Sequence, residues 1–417
     1  MNIWLIQTGE PLPVEESINK MRTAIVADKL VQRGHSILWW ASAFDHFRKD
    51  WLIKKDSRLT IKKGLEIYVL KGLGYKKNIS LSRFLDHRII AYKFGKLSTN
   101  LPKPDIIVAS TPPYDLAWES TKFAERSKIP VVLDIRDPWP DIFLEHVPLI
   151  LKKVVRIILF KDFKMIKESM QLAYSLIGVT NKLLDWGLNY AERKKNWKDR
   201  VFGHGYKRLE YSNNSKTVER FKSLTEILEK KFIIFYVGTI SRSYHNPFIL
   251  LKAAERLKGH KNIHFVIAGD GELFDELKKV ATNCDNITLT GWLNQSEIEF
   301  LLKHSKIGVC PSAKIVDLVT NKVFVYVSAG LPIVSAFHGE IKEIIEKYQI
   351  GLYYPPGGVD LLVDCINKLH DNEELYNKMS QNACRLFNEM FDADKIYEEY
   401  VDHIEKIAHE CGQERLR

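Results

Sequence analysis

The stretch Phe232–Arg242, FIIFYVGTISR, decides how this chain is read. Its β-branched and aromatic run suits a strand covered on both faces, as strands of parallel sheets are. Gly238 follows, and glycine lets backbone approach a ligand closely with its amide exposed. The pattern recurs at His264–Ala268, followed by Gly269-Asp270-Gly271-Glu272 and a helical stretch. A helix N-terminus placed there favours an anion such as a diphosphate. Taken alone, either turn is more often ordinary strand-to-helix chemistry.

Working outward, strands are expected at Phe232–Val237, His264–Ala268, Ile287–Thr290, Ile307–Cys310, Ile333–Ala336 and Leu352–Tyr354. The first half shows the same alternation at Ile3–Gln7, Ser36–Ala41, Leu65–Leu70, Ile106–Ser110, Val131–Ile135 and Leu176–Thr180. Strands alternating with helical stretches are the pattern of βαβ units. Tyr206–Lys231 loses the alternation and carries the polar run SNNSKT, so the linker is placed there. The expected fold class is therefore α/β, with two doubly wound domains on either side of a cleft. The expected bounds are 1–205, a linker at 206–230, 231–390, and a final helical segment at 391–417.

Ligands of such sheets lie beyond the carboxyl ends of the strands. After Ile307–Cys310 come Pro311-Ser312 and then Asn321-Lys322-Val323-Phe324; Lys322 can meet a phosphate, and Asn321 can cap the helix or bond a ligand. A capped helix with a solvated lysine is the structural alternative. The loop Phe337-His338-Gly339-Glu340 again sets glycine beside a polar group. Four such loops on one sheet edge point to a site.

Residues 1–200 hold 35 of the 62 basic and 22 of the 52 acidic residues, so that half carries +13 and the remainder −3. A basic half suits an anionic surface or ligand. Val147–Ser169 reads as one basic amphipathic helix, with Lys153, Arg156, Lys161, Lys164 and Lys167 on one side. Ile157, Phe160 and Phe163 fall among the lysines, which suits an anionic membrane interface; a solvated domain helix is the alternative. No helix-turn-helix, RNA-binding or zinc pattern points to nucleic acid. The five cysteines show no CxxC spacing, so neither a disulfide framework nor a zinc site is expected. The apolar start, MNIWLI, reads as a strand and not a signal peptide, and no stretch reaches eighteen uninterrupted apolar residues. A cytoplasmic protein, peripheral at the inner face of the plasma membrane, is expected.

The order Tyr236-Val237-Gly238-Thr239, Ala268-Gly269-Asp270-Gly271-Glu272, Gly291-Trp292-Leu293, Cys310-Pro311-Ser312, Asn321-Lys322-Val323-Phe324, Ala329-Gly330-Leu331-Pro332 and Gly339-Glu340 resembles the nucleotide-sugar domain of family 4 retaining glycosyltransferases. In the first half, Gly9-Glu10-Pro11, Arg22-Thr23, Arg33-Gly34-His35, Ser42-Ala43-Phe44-Asp45-His46 and Asp134-Ile135-Arg136-Asp137-Pro138-Trp139 resemble the branch of bacterial surface-polysaccharide synthesis. The resemblance implies a GT-B fold of two Rossmann-like domains, with Tyr397–Ile407 in a helix that crosses back to the first. It also implies sugar transfer with retention, no metal or cofactor, and a UDP- or GDP-linked donor. The implied acceptor is a polyprenyl-diphosphate-linked saccharide of O-antigen, capsule or exopolysaccharide.

On the donor side the resemblance implies Gly238, Thr239, Gly269 and Gly271 at the diphosphate, and Arg242 and Lys322 neutralising it. Trp292 and Leu293 would meet the base, and Asp317, Asn321, Gly339 and Glu340 the sugar or phosphates. On the acceptor side Asp137 is the candidate for receiving or orienting the hydroxyl proton, beside Arg136, with Glu10 and His46 as rivals. The family's two glutamates, eight positions apart, fall in register on Asp317 and Val325, and Val325 accepts no hydrogen bond. The usual Arg and Lys are also replaced, Thr239 following Gly238 and Tyr244-His245 standing where the lysine would. A non-catalytic GT-B protein that binds acceptor or a partner transferase, and a sugar-nucleotide epimerase of the same fold, are the alternatives.

Overall fold

A computed structural model of the chain describes residues 1–416 except 15–19, 79, 146, 209–214, 242–246, 283 and 316–320. The chain divides into two compact units, Met1–His204 with Asp394–Arg417, and Gly205–Ala393.

In the first unit the strands are β1 (Asn2–Ile6), β2 (Ser36–Ser42), β3 (Phe44–Asp45), β4 (Asp50–Trp51), β5 (Ser57–Lys62), β6 (Leu65–Leu70), β7 (Ile106–Thr111), β8 (Val131–Ile135), β9 (Ser175–Gly178) and β10 (Arg200–Val201). Among the described residues the main sheet runs β10-β9-β8-β7-β1-β2-β6-β5, parallel except for the edge strand β5. β5 has no strand signal of the kind the central apolar runs carry, because SRLTIK alternates between exposed and half-buried positions. β3 and β4 form a separate antiparallel pair. Strand order reverses between β1 and β7, which makes that point of the edge the natural ligand crevice.

The second unit carries β11 (Phe232–Val237), β12 (Ile263–Ala268), β13 (Ile287–Gly291), β14 (Ile307–Cys310), β15 (Ile333–Ser335) and β16 (Gly351–Tyr353). They run β13-β12-β11-β14-β15-β16, all parallel, and reverse between β11 and β14. Successive residues of β11 point to opposite faces: Ile233 and Phe235 join one apolar layer, Ile234 and Tyr236 the other. That double burial is why the run is continuously apolar.

Two expectations need correction. Part of the stretch read as a linker is folded: Ser215–Arg220, Lys222–Leu224 and Thr225–Lys230 are helical, and Phe221 and Leu228 lie in the core of the second unit. Short helices with few apolar anchors leave no periodicity to read. Val147–Ser169 is not one helix but two, Leu149–Ile158 and Phe160–Leu172, parted at Leu159, so a single helical wheel does not apply.

The last helix, Ala393–Leu416, is tied to the helix Arg22–Gln32 and the turn after it. Lys29 pairs with Asp394 at 3.2 Å and Glu398 at 3.1 Å, Arg33 with Asp402 at 2.6 Å, and His35 with Glu405 at 2.7 Å. Tyr400 packs its ring 4.8 Å from the buried Arg22 guanidinium.

Candidate functional site

In the second unit the post-strand loops interlock at the carboxyl edge. Gly238 N–H donates to the Ala268 carbonyl at 3.0 Å, and Gly269 N–H to that of Gly291 at 2.9 Å. Gly238 has φ +154°, and a Cβ there would collide with Lys322 Cε and lie 2.7 Å from its Nζ. Gly269, at φ +138°, abuts the Gly238 carbonyl so closely that any side chain would overlap it. Gly271 stands against the Ile240 backbone in the same way. The sequence-predicted residues Gly238, Gly269 and Lys322 are thus brought together at the strand-order reversal.

Lys322 is buried near the start of the helix Asn321–Ser328, its Nζ 3.4 Å from the Tyr236 hydroxyl and 4.7 Å from that ring's centre. Burial lowers its pKa to about 8, which makes its charge sensitive to an arriving anion. The Tyr236 hydroxyl donates to the Thr239 carbonyl at 3.0 Å and so fixes the loop after β11.

The loop after β13 is organised by a residue the sequence reading missed. Arg220 donates to the Thr290 and Trp292 carbonyls, each at 3.2 Å, and pairs with Glu297 at 2.6 Å. Glu297 also closes a capping box with Asn294. Leu293 is buried, whereas Trp292 is exposed, its backbone held and its ring free to meet a flat ligand. Gly339 caps the helix Glu340–Tyr348 at φ +66°, and Glu340 lies in its first turn. Val325 is half-buried against an apolar layer. Arg242 and Asp317 lie outside the described residues, with Tyr244 and His245, as does the side chain of Asn321.

In the first unit the acceptor-side candidates separate into two groups. Arg22 grips buried Asp134 with two bonds of 2.9 Å, and Arg136 reaches Asp134 at 3.1 Å. Arg136 also pairs with Glu10, whose carboxylate accepts from the Thr23 amide and hydroxyl at 2.9 Å each. Glu10 and Arg136 therefore brace the β1 and β8 loops, and their sequence-adjacent partner Asp137 is not the residue that Arg136 pairs with. Asp137 is exposed beyond β8, its pKa raised by partial desolvation against the pull of Arg83 and Arg136.

The second group lies where the strand order reverses. Thr8 and Gly9 after β1, Ser42 on β2, Pro112 and Pro113 after β7, and Tyr75, Arg83, Asp86 and His87 line one small crevice. His46 joins it through a 2.6 Å bond between Nδ1 and the Tyr75 hydroxyl. Burial, with Arg83 next in weight, lowers His46 to about 4 and His87 to about 3, so both rings are neutral at pH 7. Sequence reading found His46 but not Arg83 or His87, because they lie inside the helix Leu81–Leu97, where nothing local marks them.

Of the basic face, the helix Leu149–Ile158 buries no residue; Ile150 is 89% and Ile157 75% exposed. Lys153, within this helix, is exposed. Phe160 is exposed, but Phe163 is buried beneath Arg156, 5.0 Å from its ring, which corrects its placement on the open face. Lys164 pairs with Glu168 at 3.7 Å and Lys167 with Glu192 at 2.6 Å. Among the described residues no helix is long and apolar enough to cross a membrane.

With this geometry in place, residues 217–385 match the family model described as Glycosyl transferases group 1. The similarity of those residues is to a group 1 glycosyl transferase domain. Over 217 residues the chain is 29% identical to O-antigen chain mannosyltransferase C of Escherichia coli, covering 51% of this chain and 56% of that protein. Over 162 residues it is 26% identical to alpha-D-kanosaminyltransferase of Streptomyces kanamyceticus, covering 38% and 42%. The chain spans about half the length of the curated relatives it matches. Among solved structures, Anabaena Alr3699/HepE in complex with UDP superposes with TM-score 0.63 at 16% identity, covering 97% of this chain and 99% of that one. WaaG, a glycosyltransferase involved in lipopolysaccharide biosynthesis, gives TM-score 0.58 at 12% identity over 96% and 99%. The fold is GT-B, with two Rossmann-like units.

Proposed function

We propose that this chain is a retaining glycosyltransferase of family 4 that moves a sugar from a UDP- or GDP-linked donor to a lipid-linked saccharide in bacterial surface-polysaccharide synthesis. The observation that carries the reading is the meeting of Gly238, Gly269 and Lys322 at the strand-order reversal of the group 1 domain. In the reaction the bond between the anomeric carbon and the diphosphate oxygen breaks, and the acceptor hydroxyl oxygen bonds to that carbon. The hydroxyl proton passes to the leaving phosphate or to a nearby carboxylate.

Lys322 would stabilise charge growing on the leaving diphosphate, the term in which most catalysis of this kind lies. Glycine backbone at 238 and 269 lets the diphosphate approach, and the Trp292 loop would meet the base. Asp137, at the carboxyl edge of the first unit, would orient the acceptor hydroxyl. O-antigen mannosyl transfer by the relative from Escherichia coli and the UDP bound by the Anabaena protein both support a nucleotide-sugar donor. The exposed helix Leu149–Ile158, which carries Lys153 among its apolar residues, would rest on an anionic membrane at the cytoplasmic face and bring the enzyme to its lipid-linked acceptor.

Calorimetric titration of the full chain with UDP, GDP, UDP-glucose and GDP-mannose tests the reading. Saturable binding of one donor, weakened by Lys322→Ala, is expected; silence across the whole panel would sink it in favour of a non-catalytic GT-B protein.

A further inference from the structure

In the first unit, the crevice at the strand-order reversal holds a cation without a matching anion. Arg83 is half-buried, its guanidinium 4.6 Å from the Trp139 ring and 5.3 Å from that of Tyr75. One terminal nitrogen donates to the Asn78 carbonyl at 2.8 Å, whereas Nε is buried with no partner. The nearby carboxylates are otherwise placed: Asp86 accepts from the Gly74 amide at 2.8 Å, and Asp137 acts on Arg83 only through its field. No ion pair to Arg83 occurs within 4 Å among the described residues. A guanidinium partly withdrawn from water is ordinarily paired, because leaving it unpaired forfeits hydration without return.

The surroundings suit a phosphate. Lys49 brings a second positive charge close by, its ammonium 4.9 Å from the Tyr75 ring and bonded to the Asn78 side chain, with Asp45 offsetting part of its field. The neutral ring of His87 carries one N–H that can donate, and the Ser42 hydroxyl lines the same crevice. A planar guanidinium matches phosphate oxygens two at a time, which a lysine does not.

We infer that this crevice is an anion site in which Arg83 holds a phosphate of the acceptor, so that the acceptor is recognised by its phosphate ester and not by its saccharide alone. This rests on the glycosyltransferase reading for the name acceptor. The site itself is a property of the first unit. Phosphate chemistry could be presented by a lipid-linked diphosphate or by free pyrophosphate, and the titration separates the two.

The test is calorimetry on the full chain, with the donor site saturated by the nucleotide it binds, using pyrophosphate, geranyl diphosphate and geraniol as probes. Both phosphates should bind and geraniol should not; tighter binding of geranyl diphosphate assigns a lipid-linked source, and equal binding a free one. Arg83→Gln should weaken both phosphates roughly 10- to 100-fold, with Arg83→Lys recovering part of the loss. Because Arg83 also packs on two rings, Thr8→Glu is the companion variant, adding a carboxylate to the crevice lining without removing that packing. It should give the same loss while nucleotide affinity stays unchanged. Unaltered phosphate binding in both variants, or a wild-type chain that binds nucleotide sugar but neither phosphate, would overturn the inference and leave the donor reading standing. Failure of nucleotide binding alone, with phosphate still bound through Arg83, would do the reverse.

Discussion

The Lys322 ammonium stands over the Tyr236 ring, 4.7 Å from its centre and 3.4 Å from its hydroxyl, in space that a side chain on Gly238 would occupy. Tyr236 and Lys322 are 86 residues apart in sequence, and the pairing of β11 with β14 brings their segments together.

Gly238→Ala should therefore act on Lys322. The new methyl collides with Lys322 Cε and holds a backbone φ that side chains rarely adopt. A stability loss of about 1–3 kcal/mol, read by urea unfolding, should accompany a nucleotide affinity at least as weak as that of Lys322→Ala. Full affinity in Gly238→Ala would detach the two residues.

Donor binding should depend on pH in the alkaline range. With no anion bound, Lys322 loses its proton near pH 8, so diphosphate affinity should decline from pH 7.5 to 9.5, and Lys322→Ala should flatten the profile. The stability term has the opposite sign. The folded pKa lies below the unfolded one, so the unfolded chain holds more protons between about 8 and 10.5, and Lys322 favours the fold more as pH rises through that window. Calorimetry and urea titration across the range measure the two separately.

His87 should make the first unit acid-sensitive. Its ring is buried and neutral, with a pKa near 3 against an ordinary 6.5. Below pH 6.5 the unfolded chain takes up a proton that the folded one refuses, so stability falls as pH drops toward the folded pKa, by about 1.4 kcal/mol per pH unit for one such group. His87→Gln should lessen the slope of unfolding free energy between pH 6.5 and 4.5; an unchanged slope would place the sensitivity elsewhere.

Exposure of the helix Leu149–Ile158 separates membrane binding from folding. Ile150→Glu with Ile157→Glu should abolish co-sedimentation with phosphatidylglycerol vesicles and leave the melting temperature within about 2 °C, since neither side chain is buried. Lys153→Glu should weaken binding more than Lys167→Glu, because Lys167 is already paired with Glu192. Equal sedimentation of wild type and the double variant would remove the membrane role.

Continuous apolar runs such as Phe232–Val237 and Val131–Ile135 were readable as strands because burial on both faces leaves no room for polar residues. The glycines after them were readable for the same local reason: close backbone approach tolerates no side chain. From these alone the chain reads as an α/β protein of two sheets, with glycine loops gathered at the edge of the second. Edge strand β5 and the short helices at 215–230 lay beyond such reading, because partial burial and few apolar anchors impose little pattern.

Pairing was decided only in three dimensions. Sequence placed Asp137 next to Arg136, but the fold gave Arg136 to Glu10 and Asp134 and left Asp137 exposed in the field of Arg83. Arg83 and Arg220 carried no local signal at all. What sets an arginine's role is the carboxylate, carbonyl or empty crevice that distant segments bring to it, and that depends on strand order and helix packing, which local residue patterns do not encode.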